Sequence, residues 1–455
     1  MAPNFTSLMP VRPTRALDGG LASQVGCRDH IPVTSPTLPL PPRVLLHDLF
    51  ATAVQSALPN AGMIAPYLPD HAGRVLVLGA GKAAAAMASA IDAHWHDRSV
   101  EGLVITRYGH GVACRSIEVI EAAHPVPDNV GEAAAERVIA LARSARPGDL
   151  VVFVISGGAS ALLALPAPGL SLEDKRQVTA ALLASGAPIT AMNCVRKHLS
   201  AVKGGWLALA AQQAKQVTLL ISDVPGDDPA VIGSGPTVPD PTTFQEARAV
   251  LDRYGIGTPP AIERHLREAA DETPKPGDPI FANTLVHVIA RPRQALEAAA
   301  ERARNHGCDA IILGDAIEGE SREVARDMAS QALALRPARP TVLLSGGETT
   351  VTVGGSGRGG RNAEFALSLA LALDGASHIH AIACDTDGID GSEDNAGAII
   401  GPDTLTRARE AGLDLAALLA DNNAYSAFAA LGDLVVTGPT RTNVNDFRAI
   451  LVLPR

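Results

Sequence analysis

Two cations and a set of carboxylates, each set after an apolar run and beside glycines, carry the chemistry this sequence offers. Lys82 follows the run VLVLGAG (Val75 to Gly81) and opens an alanine-rich segment. A helix start carries partial positive charge, so a cation there calls for an anion, most simply phosphate or carboxylate. The plainer reading is an ordinary strand–helix turn with a solvated lysine. Arg361 stands in a second glycine-rich stretch, GGSGRGGRNAE (Gly354 to Glu364), also at a helix start, and again an anion is expected unless the stretch is a plain surface loop. SGGAS (Ser156 to Ser160) offers backbone donors and two hydroxyls suited to phosphate or carboxylate, or simply a capped helix start. NCVRKHLSAVKGG reads as one helix on which Arg196 and Lys203, seven apart, share a face, either for an anion or for solvent. SDVPGDD places Asp223, Asp227 and Asp228 after a strand, where carboxylates can hold Mg²⁺ or accept a proton, or form an Asx-type turn around Pro225-Gly226. Asp385, Asp387, Asp390, Glu393 and Asp394 offer metal ligands without EF-hand spacing, although Gly388 and Gly391 also mark turns.

The elements that must position these groups alternate. Buried-strand runs (VLVL, VVFVI, VTLLI, then VHVIA, AIIL, VLLS and HAIAC) are separated by helical stretches, the succession of a parallel, doubly wound α/β sheet. Residues 1–44 are proline-rich without sustained periodicity and read as a loosely ordered extension. A polar, proline-containing stretch at Glu272 to Pro279 reads as a boundary. The division is thus 45–275 for a Rossmann-like N-terminal domain and 276–455 for a C-terminal α/β domain. Ligands of such sheets bind outside the carboxyl ends of the strands, which is where the glycine and acid clusters fall.

Two cations on opposite domains with carboxylates between them form a phosphoryl-transfer scheme. No P-loop exists: GxxxxGK[ST] would need glycine where Leu76 stands, and Ala83 replaces the hydroxyl residue. GAGKAA also approximates a dinucleotide fingerprint, with Ala84 at the third glycine. A nicotinamide-dependent reductase is therefore the alternative, though the next strand ends at Thr106 and Arg107, without the acid that holds a ribose.

Composition narrows the partners. The 455 residues are 47% hydrophobic and 3% aromatic with a net charge of −10, and no basic stripe with interleaved aromatics suggests nucleic acid. The five cysteines are scattered, as in a reducing cytoplasm, and no run reaches transmembrane length.

Together VLGAGKAA, HPVPD, ISGGASALL, NCVRKHLSAVKGG, SDVPGDDPAVIGSGPTVPD, SGGETTVTV, GRGGRNAEFAL, DTDGIDGSEDNAGA and TGPTRTNVND resemble the type-2 glycerate kinases, from about Leu45 to the end. The resemblance implies a two-domain α/β enzyme whose C-terminal part holds a MOFRL region (340–450), with the active site in the interdomain cleft. It implies ATP-dependent phosphorylation of D-glycerate at the 2-hydroxyl, giving 2-phosphoglycerate, with Mg²⁺. Lys82 and Arg361 match the family's catalytic lysine and arginine. On this reading Ser156, Gly157, Gly158, Arg196 and Asn443 would bind substrate, and Asp223 would join the catalytic pair. Gly79, Gly81, Ser345, Gly346, Gly347, Glu348, Gly359 and Gly360 would line the nucleotide, and Asp227, Asp385 and Asp387 would serve a metal. Members have often been labelled hydroxypyruvate reductases, which keeps the reductase, NAD(P)H-dependent, as the alternative. A homo-oligomer is left open.

Overall fold

Aliphatic runs without polar alternation belong in strands covered on both faces, and the computed structural model, which describes residues 38–455, places six of them in one parallel sheet. The expected N-terminal extension lies outside the described residues as far as position 37. The strands are β1 (Val75–Ala80), β2 (Glu101–Arg107), β3 (Ile117–Ala122), β4 (Leu150–Ile155), β5 (Lys215–Ile221) and β6 (Thr284–Ala290). Their spatial order is β3-β2-β1-β4-β5-β6. β1 and β4 are buried at every position. The order reverses between β1 and β4, and a crevice outside the carboxyl ends of that pair is where such sheets bind ligands. β6 comes after the expected boundary at residue 275, yet it pairs with β5 and completes the first sheet.

The second sheet is mixed. It comprises β7 (Asp309–Gly314), β9 (Thr341–Gly347), β11 (Ile379–Asp385), β12 (Gly397–Ile400), β13 (Leu434–Val435) and β14 (Asp446–Val452), in the order β13-β12-β11-β14-β9-β7. The short strands β8 (Gly319–Glu320) and β10 (Thr349–Thr350) pair separately. β14 runs antiparallel to both β9 and β11. Its first residue, Asp446, therefore stands level with Asp385 at the end of β11 and Gly347 at the end of β9. One edge of the sheet thus collects three strand ends.

The two sheets share a core. The helix Pro42–Ala57 buries Leu45, Leu46, Leu49, Phe50, Ala53 and Val54, spaced at three and four residues as one helix face. It packs on the helix Pro292–Asn305 and on β11 and β14, with Phe50 against Phe447 at 5.7 Å between ring centroids. The same apolar cluster continues through Val75, Val77, Val152 and Val154 to Val342, Leu344 and Ile382. The first described helix therefore serves the second sheet, and the chain crosses between halves twice.

The stretch NCVRKHLSAVKGG is not one helix. A helix runs from Ile189 to His198, and a short one from Trp206 to Ala210. Between them Ser200 Oγ accepts from the N–H groups of Val202 and Lys203 (3.3 and 3.4 Å), and Gly204 and Gly205 take left-handed conformations. A local hydroxyl competing for backbone donors ends the helix. Lys203 thus leaves the face of Arg196, and its buried Nζ donates to the Leu163 carbonyl at 2.5 Å. Among the described residues no helix is long and apolar enough to cross a membrane.

Candidate active site

The site begins where two glycine turns are sewn together at the crevice between β1 and β4. The N–H of Lys82 donates to the Gly157 carbonyl (2.8 Å), and the N–H of Ala83 donates to Ser156 Oγ (3.0 Å). Ser156 therefore supplies the cap that the helix Ala84–His94 lacks in its own sequence. The missing side chains of Gly79 and Gly81 serve this junction. A Cβ at Gly79 would meet the Val154 carbonyl at 1.9 Å, and one at Gly81 would meet Ser156 Oγ at 2.1 Å. Both glycines, expected to line a nucleotide, have their open sides filled, Gly79 by β4 and Gly81 by the Ser156 that follows it.

The junction aims Lys82 across to the second sheet. Its Nζ contacts Asp387 Oδ2 at 2.5 Å, and Asp387 is fully buried. The Asp387 N–H donates to Asp385 Oδ1 (2.9 Å), and the Ile389 N–H donates to Asp387 Oδ1 (2.8 Å). These Asx turns hold both carboxylates at the end of β11. Asp385 Oδ2 then accepts from Arg361 Nη2 at 2.8 Å. Lys82 and Arg361 are thus joined by two ion pairs, Lys82–Asp387 and Arg361–Asp385, linked through the Asp387 N–H hydrogen bond to Asp385.

Arg361 opens the helix Arg361–Leu373, whose second and third N–H groups are capped by Asp390 (2.9 and 2.8 Å). Its guanidinium spreads over three carboxylates: Nε to Asp446 (2.7 Å), Nη1 to Glu348 (2.9 Å) and Nη2 to Asp385. The sheet edge that gathers β9, β11 and β14 presents those three acids. Asp446 also accepts from Asn362 Nδ2 (2.8 Å) and from the buried Arg448 (2.5 Å). The anion that a cation at each helix start demands is supplied here by the protein.

Asp223 completes the group from the carboxyl end of β5. Its Oδ2 accepts from Asn443 Nδ2 at 2.9 Å, and its carbonyl accepts from Asn445 Nδ2. The carboxylate lies on Gly157, where a Cβ would come within 2.0 Å of Oδ2 and 2.2 Å of Asn443 Nδ2. A side chain at position 157 would therefore evict both.

Charge and burial set distinct states for these acids. Burial, with Glu348 nearby, raises the Asp223 carboxyl to about 6 against the opposing pull of Lys82 and Arg361. Burial and the neighbouring Asp387 push Asp385 well above the carboxylate range. Asp387 is buried too, but Lys82 outweighs that and holds it down at about 2. Burial opposes the Lys82 ammonium, yet Asp387, Asp385 and Asp223 outweigh it and raise its pKa. The site holds more carboxylates than cations, an environment that admits an anionic ligand only with a cation of its own.

Other expected residues fall elsewhere. Asp227 pairs with Arg291 at 3.2 Å instead of joining Asp385 and Asp387. Among the described residues no three histidine, cysteine or acidic side chains form a metal cage. Ser345 is buried within β9 with its hydroxyl against Met328 Sδ (3.6 Å), and a Cβ at Gly347 would strike Ile317. SGG here is strand, not loop, because β14 pairs with it throughout. Gly359 and Gly360 bring the chain into the Arg361 helix, Gly360 against Asp390. Arg196 makes no ion pair or hydrogen bond among the described residues; burial lowers its pKa, and it lies near the buried Lys175 and Lys203. Asp446 and Asp390 had no assigned partner in sequence. Asp446 belongs to the TNVND run, and only strand register reveals its place beside Arg361.

Comparison with known proteins bears on this arrangement. A domain of unknown function, DUF4147, matches residues 45–267, and the MOFRL family matches residues 341–446. A protein of Agrobacterium vitis provisionally named a hydroxypyruvate reductase is 54% identical over 90% of this chain and 94% of its own. The glycerate 2-kinase of Pyrococcus horikoshii is 42% identical over 84% of this chain and 88% of its own. A crystal structure of glycerate kinase from Thermotoga maritima is similar with a TM-score of 0.80 at 38% identity, covering 90% of this chain and 99% of that one.

Proposed function

The chain belongs to the glycerate kinase family, and from that premise we propose that it transfers the γ-phosphoryl group of ATP to the 2-hydroxyl of D-glycerate, giving 2-phosphoglycerate and ADP. The observation that carries this reading is the line Lys82–Asp387–Asp385–Arg361, which brings two cations from two sheets to one crevice. Phosphoryl transfer needs neutralisation of charge on the moving group and alignment of the acceptor. Lys82 and Arg361 supply the first. Each is held now by carboxylates and would turn part of its hydrogen bonding to phosphoryl oxygens in a site that excludes water.

Asp223 is the candidate base. A carboxyl raised to about 6 takes a hydroxyl proton more readily than an ordinary one, and it is still ionised at neutral pH. Asn443 binds Oδ2 and leaves Oδ1 for the acceptor hydroxyl. Magnesium fits the excess of carboxylates. It binds through one or two carboxylates together with phosphate oxygens and water, and Asp387 would hold it; when bound it would neutralise charge on the nucleotide's phosphates. Asp227, occupied by Arg291, is left out of that role. The unpaired Arg196 remains the candidate for the glycerate carboxylate. A cytoplasmic setting accords with the free thiols of Cys114, Cys194, Cys308 and Cys384.

The hydroxypyruvate reductase name carried by a close relative defines the rival activity. Against it stand β2, which ends at Thr106 and Arg107 without a ribose-binding acid, and the filled sides of Gly79 and Gly81. Purified protein supplied with D-glycerate, ATP and magnesium should yield 2-phosphoglycerate, separated from the 3-isomer by phosphorus NMR. Consumption of NADH or NADPH with hydroxypyruvate, and none of ATP, would overturn the reading.

A further inference from the structure

The motif HPVPD has no part in the chemistry above, yet its histidine stands at the same turn. A Cβ built on Gly158 would lie 3.1 Å from both Nε2 and Cδ2 of His124, and 3.4 Å from Lys82 Cγ. The imidazole edge and the lysine stem therefore flank one glycine, next to the Gly157 on which Asp223 rests. The ring's other nitrogen, Nδ1, is buried without a hydrogen-bond partner. Nor does any hydrogen bond or ion pair to the ring exist among the described residues. Such an unsatisfied buried group is uncommon enough to need a reason.

The surroundings choose the ring's state. Burial, with Lys82 and Arg107 adding to it, brings the imidazole down to about 3, so it is neutral at physiological pH. A neutral ring carries one N–H. Buried N–H groups are left unpaired more rarely than lone pairs, so the hydrogen belongs on Nε2, at the edge facing the turn, and Nδ1 keeps its lone pair. His124 then presents a neutral donor beside a cation, a combination that suits an oxygen of an anionic ligand. Of the two reactants, the one that must reach Asp223 is the acceptor, and Asp223 lies one residue away, on Gly157.

Resting on the kinase reading, we propose that His124 contacts the hydroxy acid, its Nε2–H donating to a substrate oxygen at the Gly157–Gly158 turn, as a recognition group and not as a proton acceptor. The test uses the full-length protein with His124→Ala and His124→Gln, the second keeping an N–H donor near the Nε2 position. In the alanine variant KM for D-glycerate should rise by about tenfold or more, with KM for ATP within about twofold of wild type. The glutamine variant should recover most of that loss, and thermal unfolding should show both variants folded. D-glycerate alone, without ATP, should shift the ring nitrogen resonances of His124. An unchanged KM for D-glycerate in a folded alanine variant, a rise in KM for ATP instead, or unmoved resonances would each overturn the proposal. Wild-type turnover separates the two levels. A wild type that makes no 2-phosphoglycerate counts against the kinase reading, whereas an active wild type matched by His124→Ala counts against His124.

Discussion

Replacing Asp223 by asparagine should make the protein more stable and less active. The carboxyl ionises near 3.8 when free and at about 6 in its folded surroundings, chiefly because it is buried. A group whose folded pKa is raised binds protons more readily in the folded state. Its favourable contribution is complete below about pH 4 and is lost as the pH rises through about 6. Above that, the fold holds an ionised carboxylate at a cost of roughly 3 kcal/mol, from about two pKa units at 1.36 kcal/mol each. An amide keeps the shape and the contact with Asn443 without the charge. The variant should therefore exceed wild type by up to about 3 kcal/mol near neutral pH, and the gap should close between about pH 6 and pH 4. Urea unfolding across that range, followed by fluorescence of Trp95 and Trp206 and by far-ultraviolet circular dichroism, measures it; coincident transitions license the comparison. Turnover should fall by about 10²–10⁴ if Asp223 is the base. A variant no more stable than wild type at neutral pH, or a gap indifferent to pH, would refute the reasoning.

Three further outcomes are expected. Arg361→Lys should fail to restore the activity lost in Arg361→Ala, because one ammonium cannot span the three carboxylates the guanidinium now bridges; equal turnover in Arg361→Lys and wild type would contradict this. Gly157→Ala should fold yet lose most of its kcat by displacing Asp223 and Asn443, and a crystal structure of the variant would show whether Asp223 has moved. A double-mutant cycle of Lys82→Met and Asp387→Asn should show coupling of about 2–3 kcal/mol, since removing one partner of a buried pair costs about 3–5 kcal/mol and Asp385 stands ready to compensate. Additive single effects would show that the pair is not coupled.

Local pattern revealed the strands and the turns that follow them, because buried aliphatic runs and glycines are local signals. VLVLGAGK and VVFVISGGAS sit at the reversal of strand order, which only the sheet topology reveals. Strand direction was hidden. β14 is buried at every position, the signature of a strand inside a parallel sheet, but it runs antiparallel to both neighbours. Glycine carried two meanings that spacing does not separate: in GAGK and the first SGG it permits a turn against another backbone, while in the second SGG it continues a strand. The cations were legible, their partners less so. Lys82 and Asp387 are 305 positions apart, and Arg361 and Asp446 are 85 apart. Only the register of β11, β14 and β9 sets those acids in a row.

The double crossing of the chain has a mechanical consequence. The helix Pro42–Ala57 and everything from Pro292 onward form one half, and the intervening sheet forms the other. Two covalent threads then join the halves, one between Ala57 and Val75 and one at Arg291. The halves also share one apolar core, so the two links join parts that are already packed together. Arg291, tied to Asp227 just beyond β5, anchors the second link to the loop that carries Asp223, so that crossing and the candidate base share one support.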